Sequence, residues 1–322
     1  MLTRRYLRMK VLQELYAFSR NTDNEYGKAE KGLLKNISKV YDLYIYQLSF
    51  IAEISDFARQ RIEDARNKFY PTHEDLNPNL KFVNNRLLQQ LKDNRSYNTH
   101  RERLRINWSE EQDVVRKFYN RLRESKVYKD YMNDNKDSYI HDKDFLIHCV
   151  RNVLADDELL QSYYEDKYVY WVNDFDATLI MLEKTFRLFK SGQDTYTPLP
   201  SLYSAPYDEN NRNDDQEFIK RLFHSVIAND TLYDEIITER TDNWDFDRIA
   251  LMDILIIKMA ISEFTEFETI PTKVTMNEYI ELSKVFSTPK SHVFVNGMLD
   301  KILNVLTEQG KVKKIGRGLI NN

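Results

Sequence analysis

Thr288-Pro289-Lys290-Ser291, with Phe294 one turn further on, is the stretch of this chain whose residue types best suit a ligand. Thr288 suits a helix N-cap, and Pro289 suits the first helical position, where its missing N–H costs nothing. A helix start offers free backbone N–H groups and a positive dipole end, which favours a phosphate. A cation, a hydroxyl and an aromatic ring beside it fit a nucleotide better than a metal or an acyl group. The same residues also read as a capped helix with Phe294 in the core, where aromatic rings often lie. Two further stretches are cationic. Residues 1–10 carry Arg4, Arg5, Arg8 and Lys10 with no acid, and residues 311–318 carry Lys311, Lys313, Lys314 and Arg317 with none. The net charge of −4 argues against coating nucleic acid by bulk attraction. An acidic body with basic ends can nonetheless hold RNA locally.

Catalytic patterns are poor. His148 and Cys149 are sequence neighbours, and neighbours on a helix point about 100° apart, which makes a poor nucleophile–base pair. A buried structural cysteine is the better reading. The six histidines show no metal-ligand spacing, and no glycine-rich phosphate loop occurs. Asp156-Asp157 and Glu110-Glu111 read as helix-start or surface charges. The chain is therefore expected to bind rather than catalyse, with no metal and no cofactor. Asp253 is less ordinary, because Asp253 and Lys258 are the only charges in the run 249–261. A helix apolar nearly all round is buried, and a buried unpaired carboxylate is costly, so Asp253 either lies on a narrow exposed stripe or meets a partner.

The elements that must position these residues are helices. Seven Gly and seven Pro in 322 residues fall well below the about 12% of average usage, and sheets and tight turns need both. Leu7, Val11, Leu15 and Phe18 share one helical face, with Arg5 and Arg8 flanking it and expected to point outward. After Gly27, apolar residues from Leu33 through Ile37, Val40, Tyr44, Leu48, Ile51, Ile54 and Ala58 to Phe69 recur at steps of three and four. They predict one helix of about 40 residues, some 60 Å long. Shorter helices are predicted near 82–93, 110–132, 144–154 and 168–190. Ser109 with Gln112 reads as a capping box, and Gly192 as a helix stop. The tyrosines Tyr41, Tyr44, Tyr46, Tyr119, Tyr128 and Tyr131 fall at helical spacing and read as packing residues. Residues 191–214, with Pro198, Pro200 and Pro206, read as a linker or surface loop. Helices follow near 215–228, 230–240, 245–266, 272–286 and 289–308.

One cysteine excludes an intramolecular disulfide framework and any all-cysteine metal site, so a reducing cytoplasm is the simplest home. No apolar run reaches the about 18 residues of a membrane span, and charges at Arg4, Arg5, Arg8, Lys10 and Glu14 interrupt any signal core. No membrane association is expected.

Three stretches carry a resemblance. Val274-x-x-Asn277-Glu278-x-Ile280-Glu281-Leu282-x-Lys284, followed by Ser291-x-x-Phe294-Val295-Asn296-Gly297-x-Leu299-Asp300-Lys301, resembles the C-terminal half of the transcription antitermination factor NusB family. Arg248–Leu255 through Ala260–Glu263 looks like that family's central helix, and Arg4-Arg5-x-x-Arg8-x-x-x-x-Gln13-x-Leu15-Tyr16 like its arginine-rich first helix. The resemblance covers roughly residues 1–20 and 215–305. It implies an all-α fold, a NusB-like core of two helical bundles, here enlarged by an inserted helical lobe. The expected organisation is a first helix (1–27), the lobe (28–190), a linker (191–214), the core (215–309) and a basic tail (310–322).

The resemblance further implies an RNA-binding antitermination factor acting on boxA elements of ribosomal RNA leaders, with the ribosomal protein NusE, on the elongating RNA polymerase. It assigns single-stranded RNA to Arg4, Arg5, Arg8, Lys290, Ser291 and Phe294, and NusE contact to Asp253. Lys290 departs from the family, which often has an acid there. The tail 311–318 has no counterpart in the compact form and is a candidate for further RNA contact. Two alternatives are a helical protein-interaction adaptor without RNA binding, and an accessory module of ribosomal RNA methylation. The latter lacks the glycine-rich motif of a cofactor-binding domain.

Overall fold

The computed structural model of the protein describes residues 2–21, 25–241 and 249–319. Their regular elements are helices, with two isolated β-bridges and no sheet among them. The chain divides into two compact units. One comprises residues 2–37 and 203–322, the other residues 38–202.

In the first unit, α1 (Arg4–Arg20) is capped by Thr3, whose side chain accepts from the Tyr6 N–H. The stripe Leu7, Val11 and Leu15 is buried as its spacing predicts, and Phe18 is half-buried. The remaining helices are α11 (Asp214–Ala228), α12 (Asp230–Thr238), α13 (Leu251–Glu266), α14 (Thr272–Phe286) and α15 (Ser291–Glu308). α1, α11 and α13 pack mutually, and α13, α14 and α15 pack mutually, so two helical groups share α13. Every residue from Asp253 to Phe264 is buried, which makes α13 the centre of the unit. The start of the predicted helix 245–266 and Arg248 lie outside the described residues.

α2 (Tyr26–Arg66) is the long helix its periodicity predicts, at 41 residues. Its first turns belong to the first unit. Tyr26 stacks on Phe223 of α11 at 5.8 Å, Gly32 lies against the Glu14 carboxylate, and Lys10 donates to Asn36 at 3.2 Å. The expected lobe boundary at 28 therefore falls at 38 in the structure, because α2 carries core contacts for three turns before it leaves.

The second unit holds the rest of α2 with α3 (His73–Leu76), α4 (Arg86–Asp93), α5 (Arg95–Arg103), α6 (Gln112–Glu124), α7 (Lys126–Asn133), α8 (Tyr139–Cys149), α9 (Glu158–Lys167) and α10 (Phe175–Leu188). The expected helix 110–132 is two helices. Ser125 breaks it by leaving helical geometry and capping α7 through the Tyr128 N–H. The expected helix 168–190 begins only at Phe175, because Trp171 closes a short 3-10 turn before it. The Ser109–Gln112 capping box does not form. Gln112 Nε2 donates to the Glu53 carboxylate and the Trp108 carbonyl, and the residue before α6 makes no side-chain cap. Gly192 does hold a left-handed backbone, φ +73°, but in a turn closed by Gln193 N–H on the Lys190 carbonyl, beyond the helix end. Tyr44, Tyr119 and Tyr131 are buried and Tyr41, Tyr46 and Tyr128 half-buried, all in ring contacts, as packing residues are. The loop 191–202 is no free linker. Asn94 Nδ2 and the Arg95 N–H donate to the carbonyls of Thr197 and Thr195, and Leu199 is buried. Among the described residues no helix is long and apolar enough to cross a membrane.

Candidate nucleic-acid interface

The arginines of α1 do not stand alike. Arg8 does not face outward. It is 3% exposed, and its Nε and Nη2 meet the two oxygens of the equally buried Glu263 at 2.8 and 2.7 Å. Thr275 and Tyr279 of α14 donate to the same carboxylate at 2.8 and 3.1 Å. The Phe218 and Tyr279 rings flank the guanidinium. A buried carboxylate with four donors is satisfied, and the fork-on-fork geometry holds Arg8 charged, its pKa raised against the burial that would lower it. The apolar stripe hides this, because Arg8 sits next to Leu7 and the packing of α13 and α14 carries over it. Arg8 is thus a structural cation that joins α1 to α13 and α14.

Arg4 and Arg5 remain at the surface. Arg4 Nε bonds Asp215 at 3.1 Å while its side chain is 41% exposed. Arg5 bonds both oxygens of Glu278 at 2.9 Å while 55% exposed. Glu278 raises the Arg5 pKa further through that hydrogen bond and its charge. A guanidinium has five N–H donors, so both keep unused donors toward solvent. They open on a groove of roughly 760 Å³, whose far wall is the α13–α14 turn with Ile270, Pro271 and Lys273, and whose rim includes Arg317. Sequence reasoning missed Lys273. Its signal was weak, a single cation just inside a helix that starts after a proline. Arg317 lay within the basic tail already singled out.

The corner at Thr288–Phe294 is built differently from its expected form. α15 starts at Ser291, not Pro289, and makes no side-chain cap. Thr288 turns its hydroxyl onto that of Ser291 at 2.8 Å. Ser291 is buried and donates to Asp253 at 2.8 Å, so its hydroxyl is committed to the core and not offered to RNA. Two backbone N–H groups of the helix start are also used, Ser291 on the Thr288 carbonyl and Val293 on that of Lys290. Lys290 is exposed and Phe294 half-buried. Asp253 is 5% exposed, so neither an exposed stripe nor a surface contact describes it. It anchors α15 to α13 through Ser291.

Asp253 and Glu263 lie ten residues apart on α13, which is about 15 Å along the helix axis. Ser291 hangs from the first and Arg8 from the second. The two halves of the sequence-predicted site are therefore held near opposite ends of α13, and the structure does not gather them into one pocket. Cys149 lines an apolar cavity with Ile51, Phe118 and Leu146, and burial pushes its thiol up, as for a structural cysteine.

Together these features define an all-helical module with a cationic groove beside its first helix. A family-wide sequence profile described as "NusB family" matches residues 191–304. The Transcription antitermination protein NusB of Salinibacter ruber is 42% identical over 145 residues, covering 45% of this chain and 89% of that protein. The protein of the same name from Chloroherpeton thalassium is 40% identical over 106 residues, covering 33% of this chain and half of its own length. A solved structure of T. maritima NusB is 30% identical in sequence, covering 30% of this chain and 68% of its own, with a TM-score of 0.28. On the sequence matches, the chain belongs to the NusB family, as an enlarged member.

Removing one partner of the Arg8–Glu263 pair leaves a buried charge uncompensated, at a typical cost of about 3–5 kcal/mol. Arg8→Ala is expected to destabilise the first unit by that amount in urea unfolding. A loss under about 1 kcal/mol would contradict a structural role. Lys314, half-buried on the end of α13, has its pKa lowered to about 8, burial outweighing the attraction of Glu263 and Glu268. A depressed lysine pKa means a contribution present above the unfolded value and lost as pH falls through about 8. An NMR titration of the Lys314 Nζ should show a midpoint near 8, and a midpoint above 10 would contradict that environment.

Proposed function

We propose that the protein is a transcription antitermination factor that works by binding, not catalysis, and that it holds single-stranded boxA-type RNA together with NusE on the elongating RNA polymerase. The observation that carries the RNA part is the groove into which Arg4 and Arg5 open, on a chain of the NusB family. Guanidinium groups with unused donors suit phosphate oxygens. The apolar lining residues Ile270, Pro271 and Val274 suit the faces of bases.

The α14–α15 corner is the second element of the proposal. Lys290 is exposed there, beside Val293 at 66% exposure and Val285 at 72%, and Phe294 is half-buried. Exposed apolar side chains next to a cation favour a protein surface over a phosphate track. We assign NusE to this corner, with Asp253 fixing it from below rather than touching the partner. The rest of the lobe, residues 38–202, supplies protein contacts in the adaptor reading, in which RNA plays no part.

A gel-shift assay with and without NusE separates these readings. The full chain should retard single-stranded boxA-type RNA, and more tightly with NusE. Arg4→Ala or Arg5→Ala should weaken all single-stranded sequences alike, with a smaller change in salt slope than the about 0.7 of an uncompensated cation, because Asp215 and Glu278 already neutralise them. If NusE neither binds the chain nor tightens its hold on RNA, the antitermination reading is wrong.

A further inference from the structure

The segment after α15 is built into the groove by its own chemistry. Gly310, at φ +65°, ends α15. Its N–H bonds the Thr307 carbonyl and the Lys311 N–H bonds that of Leu306, both at 2.9 Å. That pair of bonds is a Schellman stop, which turns the chain back. Lys314 then donates through Nζ to the carbonyls of Glu263 and Phe267 at 3.1 and 2.9 Å. Those are carbonyls at the end of α13, where a lysine is favoured by the free acceptors and the helix dipole. The Ile315 N–H bonds the Glu268 carbonyl at 3.0 Å. Gly316 takes a left-handed backbone, φ +51°, and Gly318 lies so close to the Glu268 carbonyl that a Cβ there would stand 2.0 Å from its oxygen. Two glycines thus set Arg317 between them, and both are required by the backbone.

The charges around the groove then sort unequally. Arg4 is matched by Asp215, Arg5 by Glu278 and Arg8 by Glu263. Lys273 and Arg317 are exposed, and neither meets an acid among the described residues. The arginine motif of α1 therefore lines the groove with compensated charge, and the uncompensated charge comes from the far wall and the tail. An anion displaces counterions, not carboxylates, when it meets Lys273 and Arg317, which makes them the more favourable phosphate contacts.

We propose that the C-terminal segment 311–319 is a fixed part of the nucleic-acid site, and that Arg317, with Lys273 in the same groove, is a phosphodiester contact for single-stranded RNA. This rests on the RNA-binding reading above and adds to it the residues that carry the free charge. The segment lines the groove and is held there by its bonds to the end of α13, so its contribution is positional as well as electrostatic.

The test uses the full chain, a fluorescein-labelled short single-stranded boxA-type RNA, and fluorescence anisotropy across a salt series. Arg317→Ala and Lys273→Ala should each make the slope of log affinity against log salt shallower by about 0.7. Gly318→Ala keeps every charge but cannot keep the close approach to Glu268, so it should weaken binding several-fold and flatten the slope like Arg317→Ala. Helical signal and melting temperature should be unchanged in Arg317→Ala and Lys273→Ala, since both side chains are exposed, while Gly318→Ala should keep the helical signal and lower the melting temperature by a few degrees as the tail leaves the end of α13. If wild type binds the RNA while Arg317→Ala and Gly318→Ala bind equally well with the same slope, the tail is no part of the site and the RNA-binding reading survives. A wild-type chain that does not bind the RNA at low salt overturns that reading, and this inference with it. If Arg317→Ala weakens binding and Gly318→Ala does not, the docked geometry is refuted.

Discussion

Three ionisable residues are buried in α13, and the core of this protein is arranged around the groups that meet them. Asp253, Lys258 and Glu263 recur every five residues, so at about 100° per residue they point in three well-separated directions around the helix. Each calls in a different element. Asp253 takes the Ser291 hydroxyl on Oδ2 from the start of α15, and its buried Oδ1 has no hydrogen-bond partner among the described residues. Lys258 takes Asp230 and Asp234 from α12, at 2.5 and 2.8 Å. Glu263 takes Arg8 from α1 and two hydroxyls from α14. Apolar packing alone would leave the order of helices around α13 weakly specified. Buried charges that tolerate only their own partners restrict it.

That arrangement decides which side chains are left for function. Arg8 is consumed in holding α1, and by being consumed it sets Arg4 and Arg5 at the edge of the groove. Ser291 is consumed in holding α15, and by being consumed it fixes the corner that carries Lys290 and Phe294. The end of α13 does a third task. Its free carbonyls receive Lys314, and with the adjoining Glu268 carbonyl they dock the tail that brings Arg317 to the same groove. The groove is therefore a consequence of how one helix is satisfied at its end, and no dedicated loop is needed to build it.

Much of this was legible in the residues, and the illegible part has a common cause. Helix periodicity located α1, α2 and the five helices that end the chain, because long apolar stripes leave a strong signal. It merged α6 with α7, because Val115, Phe118 and Leu122 set a helical period up to Ser125 and no Gly or Pro interrupts residues 110–132. It missed α5, where Tyr97 is the one buried residue. The site residues were named from type and position, and type does not reveal the partner. Arg8 reads like Arg4 and Arg5 until Glu263 is seen beneath it, and that contact spans 255 positions. Asp253 was recognised as costly, but Ser291, 38 positions away, could not be recognised as its answer. The tail was legible as basic, whereas its docking depends on backbone carbonyls, which leave no mark in a sequence.

The central claim is that RNA lies in the groove between α1, the α13–α14 turn and the tail, and not on the α14–α15 corner about 15 Å away along α13. Photocrosslinking of the full chain to a short single-stranded boxA-type RNA carrying 4-thiouridine, followed by mass spectrometry of the crosslinked peptides, tests it directly. The account predicts crosslinks within residues 3–8, 269–274 and 314–319. Crosslinks confined to residues 287–294, or to residues 38–202, would contradict it.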